Sequence, residues 1–533
     1  MGISDIFNTA AAGINLQRLA IEVTGENVAN VNTDGYSRQR VIFETAPVID
    51  FNKYSLGTGV KLAAVQRSYD ELLQKQIADG NSGYYQDLAR QTSISQIEPL
   101  FNELSEDGLG QTIQDFFDSW HDLSLRAEGT PERQAVLARA QILVDAFRQT
   151  DSSLKNIETN ANSALVSITG DISEKLKMIA SLNDQIRMSE MASGATSNEL
   201  RDKRDLVIRE LSQKVGISFF EEQDGSVSVN LSNGQQLVSG SNYGRIDTYP
   251  NSSGKNDIWI TGLGNPPPTP QHTSPPDRNI TSLVNGQTGS QGELGGTLLT
   301  RDVIVPEMLA RINEMANVIA REVNTLHNAG YGLPDPQNGN IAATGLDFFT
   351  ETAIARTADT SGTGNVINGI DTTGLWVGMQ VSGIGIPAGA VITAIPTSVP
   401  PSARNTVQIS SPFNGTGATG TTVTFTGVNT ATFSVGISKT VDIAAADLDT
   451  VVNGQGNNKN ALAVAALLND STKLFSVGTT SISSYYSSLV STVGLEVQSI
   501  NNSSAQGEAY IRQLKTLMES KSSVSLDEEL TNM

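Results

Sequence analysis

One apolar repeat constrains this chain more than any other feature, and it covers residues 130–190. Thr130, Pro131 and Glu132 supply a polar N-cap, a proline at the first helical position and an acid in the first turn. Only Asp151, Glu158 and Lys175 interrupt the seam formed by Leu137, Ala140, Val144, Phe147, Leu154, Ala161, Leu165, Ile168, Ile172, Ile179, Leu182 and Ile186. About sixty helical residues span about 90 Å, more than the helices of most compact domains. The pattern predicts a rod-like helix of the coiled-coil type.

A second long seam follows near the carboxyl end, and strands are predicted between the two. This seam comprises Tyr486, Val490, Val493, Val497, Ile500, Ile511, Leu514 and Met518. Hairpins are predicted over residues 217–238, where Asn233-Gly234 supplies a tight turn. In residues 352–430 glycine, threonine, valine and serine dominate and charges nearly vanish, which predicts a small inserted all-β module.

The first thirty residues carry two apolar stripes on opposite sides of a predicted helix. One stripe comprises Ile3, Phe7, Ala10, Ile14, Ile21 and Val28, and the other Ala12, Leu16, Leu19 and Val23. A helix wetted on one side needs only one stripe, so two predict burial on both faces. The covering surface is either the same domain or another subunit, and the terminal position favours another subunit.

Charge and composition exclude several classes of protein. The chain has 533 residues, with Lys+Arg 35 and Asp+Glu 56, giving a formal net charge of −21 that argues against nucleic acid as the main partner. There is no cysteine, which excludes disulfides and thiolate metal sites. The longest apolar run, Ala461–Leu468, is far short of the roughly 20 residues of a membrane-spanning helix, so no membrane partner is predicted. The amino-terminal residues lack the pattern of a cleaved signal peptide.

A search for catalytic and ligand-binding patterns predicts no catalytic, cofactor-binding or metal-ligating residue. The histidines His121, His272 and His327 have no partner at metal-ligand spacing, and no phosphate-binding loop or serine-nucleophile motif is found. We therefore expect a protein that is not an enzyme and that needs no cofactor.

Two clusters are predicted to be structural. The aromatic residues Phe116, Phe117 and Trp120 have the helical spacing of a core. The charges of the helix predicted over residues 197–214 are interpreted as a solvated face, made of Glu199, Arg201, Asp202, Lys203, Arg204 and Asp205. Near the carboxyl end, Ser525 and Glu528 predict a capping box for one more helix.

Residues 29–36, Ala-Asn-Val-Asn-Thr-Asp-Gly-Tyr, resemble the signature shared by bacterial flagellar axial proteins, and the flanking residues 25–28 and 37–39 also fit. Further stretches narrow the resemblance to the flagellar hook-associated protein 1 family, which forms the hook–filament junction. They are residues 199–216, 224–227, 233–235, 294–302, 324–330, 347–349 and 524–532. The family's outer domains vary, so the resemblance leaves the inserted β module less constrained.

The resemblance implies an α+β multidomain fold. Long antiparallel helices would form a coiled-coil core from the amino- and carboxyl-terminal parts, with inserted all-β outer domains. The expected domains are an inner domain of residues 1–45 completed by 524–533, and a long-helix domain of 46–215, 292–330 and 456–523. A β-rich domain of 216–291, 331–351 and 431–455 and an inserted Gly/Thr-rich outer domain of 352–430 complete the division.

The resemblance also implies a structural role as an adapter that joins hook to filament by ring-like self-assembly. The expected partners are further copies of the chain, the hook protein, the second hook-associated junction protein and a cytoplasmic export chaperone at the carboxyl-terminal region. The expected location is the extracellular flagellum, reached by type III export. The predicted assembly interface comprises Ile3, Phe7, Ala10, Ile14, Leu16, Leu19, Ile21, Val23, Val28, Ala29, Asn30, Asn32, Thr33, Gly35 and Tyr36.

Three alternatives and one departure accompany this resemblance. The alternatives are another axial protein of the hook or rod type, an axial protein carrying an enzymatic domain such as a peptidoglycan hydrolase, and one carrying an adhesive outer domain. In the family the chain continues beyond Leu526-Asp-Glu-Glu529 into a final helix that pairs with the first one. We therefore expect the sequence to be truncated and residues 1–30 to be poorly ordered in an isolated monomer.

Overall fold

The computed structural model describes residues 3–51, 54–101, 108–274, 277–287, 289, 291–360, 364–372, 374–395, 406–414, 418–522 and 524–532. Two compact units share the chain. Unit 1 comprises Met1–Ser93, Asn160–Arg301 and Ser499–Met533, and unit 2 comprises Ile94–Thr159 and Asp302–Gln498. The four-part domain division expected from the sequence is finer than these units and stays a prediction.

The helices match the predicted periodicity closely. They are α1 (Ile3–Ala29), α2 (Glu71–Ile97), α3 (Leu109–Leu125), α4 (Thr130–Ser193), α5 (Asn198–Lys214), α6 (Gly292–Leu299), α7 (Val305–Ala329), α8 (Thr450–Asn453), α9 (Lys459–Ala466), α10 (Ile482–Ser522) and α11 (Leu526–Asn532). The 64 residues of α4 confirm the long helix predicted from the first seam, and α10 confirms the second.

The strands form small antiparallel sheets in both units. In unit 1 they are β1 (Gln39–Thr45), β2 (Ile49–Phe51), β3 (Tyr54–Leu56), β4 (Val60–Arg67), β5 (Ile217–Glu221), β6 (Val227–Leu231), β7 (Gln236–Ser239), β8 (Asn242–Tyr243), β9 (Ile246–Pro250), β10 (Asn256–Ile260) and β11 (Arg278–Asn279). In unit 2 they are β12 (Tyr331–Asp335), β13 (Ile341–Thr344), β14 (Thr352–Ala358), β15 (Val366–Asn368), β16 (Gln380–Ser382), β17 (Ile392–Ala394), β18 (Thr406–Ile409), β19 (Thr421–Gly427), β20 (Lys473–Phe475) and β21 (Gly478–Thr480). The α+β class is confirmed.

Helices α2 and α10 pack antiparallel within unit 1. Gln74 Nε2 lies 3.5 Å from Met518 Sδ, while Gln91 Nε2 donates to Asn501 Oδ1 at 2.7 Å. Residue numbers therefore rise along one helix as they fall along the other. Parts of the chain distant in sequence thus form one helical layer, as the resemblance implies.

The core of unit 1 joins the carboxyl-terminal half of α4 to α5 and to the sheets that follow it. Leu165, Ile172 and Ile179 of the predicted seam are fully buried in this core. The four-stranded sheet β5-β6-β7-β8 contributes Val229 and Leu237 to the same cluster. The apolar repeat therefore marks a surface that the sheets of the same unit cover.

The core of unit 2 is rich in aromatic side chains. Phe116, Phe117 and Trp120 are buried as predicted, and they pack with Phe348 and Phe349. Phe116 and Phe117 meet edge to face, with ring centroids 5.1 Å apart. Such contacts add to the burial energy of the rings, so this cluster anchors α3 in unit 2.

Residues 352–430 form strands, as their composition predicts. They contribute two three-stranded sheets, β14-β19-β16 and β15-β18-β17. The inner residues of both sheets share one apolar cluster, which includes Ile367, Val407, Val423 and Phe425. We call residues 352–430 the β module.

Two details of the sequence analysis are wrong. Asp202, Arg204 and Asp205 of α5 are buried, so only part of the charge run, including Glu199 and Lys203, forms a solvated face. The predicted helix after Ser525 is present as α11, but Glu528 accepts a hydrogen bond from Arg38 Nη2 at 2.8 Å instead of closing a capping box. In both cases a distant arginine takes a carboxylate that local sequence assigns elsewhere.

Candidate assembly interface

The first apolar stripe of α1 is exposed. Phe7 is 68% exposed, Ile14 70% and Ile21 46%, and Ala10 on the same face is exposed as well. A recess of about 540 Å³ on this face is lined by Ala10, Gly13, Ile14, Gln17, Arg18 and Ile21. Val28 at the end of the stripe is half-buried, and the side chain of Ile3 lies outside the described residues. A single copy of the chain thus leaves most of this stripe in water.

The second stripe faces the rest of unit 1. Leu16 and Leu19 are half-buried and Val23 is only 7% exposed. Thr9 lies on this side of the helix, and its Oγ1 approaches the carbonyl oxygen of Thr58 at 3.4 Å. Helix α1 also contacts β1 and β4, which pair antiparallel. We call the β1–β4 pair the hairpin. It lies on the side of the second stripe, whereas Phe7, Ala10, Ile14 and Ile21 of the first stripe stay exposed.

A buried amide fastens α1 to the rest of the inner region. Asn27 Nδ2 donates to the carbonyl of Gln39 at 2.9 Å and to Glu529 Oε2 at 3.2 Å. Its Oδ1 accepts from Tyr36 Oη and from Gln39 N, both at 2.9 Å. Because an unpaired buried amide is costly, this complete set of partners fixes α1, β1 and α11 relative to one another.

Arg38 makes a second connection to the carboxyl-terminal helix. Its side chain pairs with Glu528 at 2.8 Å and with Glu529 at 2.6 Å, and its backbone N–H donates to the carbonyl of Ser522 at 2.8 Å. Hydrogen bonding to Glu528, helped by the negative charge of Glu529, raises the pKa of Arg38. The two ends of the chain therefore meet in one polar cluster.

The signature loop, residues 29–36, is held partly by its own hydrogen bonds. Thr33 N donates to the carbonyl of Asn30 at 2.9 Å, and Thr33 Oγ1 donates to Asn30 Oδ1 at 3.1 Å. Ala29, Asn32 and Thr33 are exposed, whereas Asn30 is half-buried. An assembly role for Ala29, Asn32 and Thr33 stays a prediction. The hydrogen bonds between Asn30 and Thr33 also stabilise the loop.

The end of the signature packs inward. Gly35 has a φ of +82°, and a Cβ atom there would lie 3.3 Å from Leu206 of α5, so backbone freedom and space both favour glycine. Half-buried Tyr36 bonds to Asn27. Burial and the nearby charge of Glu26 raise the pKa of Tyr36 to about 12, so its hydroxyl stays a proton donor at neutral pH. Both residues thus have structural roles that the interface prediction did not assign.

A buried ion-pair cluster that sequence reasoning missed supports this region. Arg67 of β4 reaches Asp202 at 2.8 Å and Asp205 at 2.6 Å, and all three side chains are buried. Asp202 also accepts from the backbone N–H of Ser37 at 2.9 Å. Burial raises the pKa of Asp205, and the positive charge of Arg67 opposes that shift. One signal in the sequence could have indicated that Asp205 is buried. Asp205 lies three residues before the apolar residue Ile208, so the two share a face of the helix.

The histidines and acidic groups of the described residues do not assemble a metal site. Within those residues there is no group of three His, Cys, Asp or Glu side chains placed to hold an ion. His327 is buried, its Nδ1 lies 2.6 Å from the carbonyl of Leu346, and its Nε2 accepts from Ala444 N at 3.0 Å. His272 lies 3.2 Å from Asp247 and stacks on Tyr249.

A recess between the start of α2 and the end of α10 holds about 750 Å³. Its carboxylates are paired with lysines, since Asp70 lies 2.6 Å from Lys521 and Glu71 lies 2.7 Å from Lys75. The Lys521 hydrogen bond lowers the pKa of Asp70.

None of the helices in the described part of the chain combines the length and hydropathy required to cross a bilayer.

Two family models match the sequence. The flagellar hook-associated protein FlgK helical domain matches residues 94–349, and the flagella basal body rod protein model matches residues 7–36. The second match covers most of α1 and the signature loop.

Relatives with known names extend the similarity over the whole chain. The chain is 27% identical to flagellar hook-associated protein 1 of Escherichia coli K12, covering 100% of this chain and 95% of the relative. It is 26% identical to the Bacillus subtilis protein of the same name, covering 98% and 92%. The structure of the flagellar hook junction protein FlgK from Burkholderia pseudomallei shares the fold, with a TM-score of 0.57, 17% identity and coverage of 85% of this chain and 100% of that one. The chain therefore belongs to the flagellar hook-associated protein 1 family and is a structural component of the bacterial flagellum.

Proposed function

We propose that this chain joins the hook to the filament and does so by ring-like self-assembly through its terminal helices. The observation that carries the proposal is the exposed apolar stripe of α1, made of Phe7, Ala10, Ile14 and Ile21. Family membership supports the location at the hook junction. The role is structural, with no reaction assigned to any residue.

The energetics favour covering this stripe by further copies. Removing a side chain such as Phe7 or Ile14 from water stabilises an assembly by about 1.5–3 kcal/mol. Each copy of a ring offers the same stripe, so the gain repeats around the assembly. In the single chain these side chains stay wet, because the hairpin packs on the other side of the helix.

The fastening of α1 explains how such a helix could bear load. A helix attached only by a flexible loop would yield before its packed neighbours did. Asn27 and Arg38 instead connect α1 and β1 to α11 through hydrogen bonds and ion pairs. Force applied to the stripe is therefore passed to the body of unit 1.

The partners follow from this position. We propose contacts with further copies of the chain, the hook protein on one side and the second hook-associated junction protein on the other. A cytoplasmic export chaperone would bind the carboxyl-terminal region before assembly. The chain would then leave the cell through the flagellar type III apparatus and reside in the extracellular flagellum.

The experiment places an acid on the exposed stripe in a strain that lacks its own copy of the gene. Ile14→Asp should abolish incorporation, leaving cells with hooks but detached filaments, because a charge cannot be buried in an apolar seam. Leu19→Asp lies on the second stripe, which packs on unit 1, so it should weaken the attachment of α1 as well as abolish incorporation. Asn15→Asp is the matched control, since Asn15 is exposed on α1 away from the stripe and the added charge is the same.

Electron microscopy of the flagella and a swimming assay provide the readouts. Normal motility with Ile14→Asp would contradict the proposal. The fold of the purified variant is checked by circular dichroism, so a lost assembly contact is distinguished from a misfolded chain.

A further inference from the structure

The β module has two outward sheet faces on opposite sides. Val381, Val423 and Phe425 of the sheet β14-β19-β16 point inward, as do Ile367 and Val407 of the sheet β15-β18-β17, and all belong to one core cluster. Side chains alternate between the two faces of a strand. The alternate residues of each sheet therefore face away from the shared core.

The strand register identifies the outward face of the first sheet. Ala353 lies opposite Thr426, Ala355 opposite Thr424, and Gln380 and Ser382 flank the same two threonines. All of these residues are exposed or half-buried and uncharged; with the remaining pair they are Ala353, Ala355, Thr357, Gln380, Ser382, Thr422, Thr424 and Thr426. We call these residues face A.

The second sheet has an equivalent face. Val366 lies opposite Gln408, and Asn368 lies opposite Thr406. Val366, Asn368 and Gln408 are exposed and Thr406 is half-buried, and this set is also uncharged. We call these four residues face B.

The charge of the module differs sharply from that of the whole chain. The chain carries a formal charge of −21, yet residues 352–430 contain only two arginines and two aspartates, so their formal charge is zero. Arg356 lies 3.6 Å from Asp371, which further reduces the local field. Copies of an acidic chain repel one another at close range, and this repulsion is weakest between segments without net charge, such as two β modules.

The placement of the two faces suits a cyclic arrangement. In a ring, neighbours are related by rotation about one axis, so each contact joins two different surfaces of the chain. A sandwich with uncharged faces on opposite sides offers one face to each neighbour. From this geometry, and resting on the proposed ring assembly, we propose that face A of one β module packs against face B of the next copy.

The size of the faces limits when this contact forms. Three strands spaced about 4.8 Å apart, with three outward residues on two of them and two on the third, give face A roughly 200–300 Å². Stable free complexes bury about 800 Å² per partner. The contact should therefore form only between copies that other contacts already hold side by side, where the effective concentration is high. Thr and Ala side chains also lose little conformational entropy on ordering.

Site-directed crosslinking tests the contact, because the natural chain has no cysteine. Thr424→Cys lies on the central strand of face A and Gln408→Cys on the central strand of face B. The double variant is assembled into flagella and treated with a short bismaleimide. Crosslinking within one copy is prevented by the packed sheets, which place the two cysteines on opposite sides of a layer about 10 Å thick.

We expect a ladder of dimers, trimers and higher species, at least tenfold stronger in isolated flagella than in dilute monomer. Neither single variant should form the ladder, because each contact needs both faces. Immunogold labelling and motility establish incorporation separately. Incorporated chains that stay uncrosslinked would overturn this inference alone, whereas chains absent from the junction would overturn the proposed function and this inference with it.

Discussion

Removing the arginine of the buried ion-pair cluster should destabilise unit 1 strongly. Arg67→Met keeps an unbranched side chain but leaves Asp202 and Asp205 buried without their cation, which lies 2.8 and 2.6 Å away in the native chain. Breaking one partner out of a buried pair typically costs about 3–5 kcal/mol, because the remaining charge is desolvated and uncompensated. Lys203→Met is the matched control on α5, since its ion pair with Glu199 is exposed and such helical pairs contribute about 0.3–0.5 kcal/mol.

Hydrogen exchange followed by mass spectrometry provides the assay. Peptides from β1, β4 and α5 report on unit 1, and peptides from α3 serve as an internal reference in unit 2. The loss of protection should be confined to unit 1 in Arg67→Met and should be slight in Lys203→Met.

The pH dependence sharpens this prediction. Without Arg67, burial holds the pKa of Asp205 above its unfolded value, so the folded state binds the proton more tightly. Stability is then favoured at low pH and falls as pH rises from about 4 towards the folded pKa. The deficit of Arg67→Met relative to the native chain should therefore be larger at pH 7 than at pH 5. Equal effects of Arg67→Met and Lys203→Met, or a deficit that grows on acidification, would refute the reasoning.

Three further predictions concern other parts of the molecule. Asn27→Ala leaves buried donors unpaired and should cost about 2–4 kcal/mol in the protection of α1, whereas Asn32→Ala in the exposed loop should have little effect, as proteolysis of the amino-terminal region would show. Burial lowers the pKa of His327, so as pH falls the unfolded state binds a proton before the folded state does. The stability of unit 2 should therefore fall as pH drops below about 6.5. Thermal melts at a series of pH values should show this dependence in the native chain and its loss in His327→Gln. Gly292→Ala should destabilise unit 1 by about 2 kcal/mol or more, because its φ is +62° and a Cβ would lie 2.6 Å from backbone atoms, whereas Gly170→Ala in exposed helix should stabilise by about 0.5–1 kcal/mol in chemical denaturation.

Periodicity made the elements of this fold predictable. The apolar seams of α4 and α10 and the alternation in β5 and β6 are local patterns, so each could be interpreted without knowing its neighbours. The β module was also predictable, because its composition favours strands and turns over helix.

Long-range pairing was not predictable from the same patterns. The charge run of α5 resembles any solvated helix until Arg67, 135 residues before Asp202, is placed beside it. The two stripes of α1 were correctly identified as apolar, but only the structure shows that the hairpin covers the one with Leu16, Leu19 and Val23. The sequence therefore predicts both apolar stripes of α1. Which of the two is buried within the single chain depends on tertiary packing.

The bond between Asn27 and Glu529 has a consequence for the order in which the molecule matures. These residues are 502 positions apart, so ribosomal synthesis makes the first long before the second exists. Until Glu529 has been synthesised, Asn27 of α1 lacks this hydrogen-bond partner, and the bond cannot fix the orientation of the exposed apolar stripe. The surface proposed for assembly is therefore completed only after synthesis has passed residue 529, later than the helix that carries it.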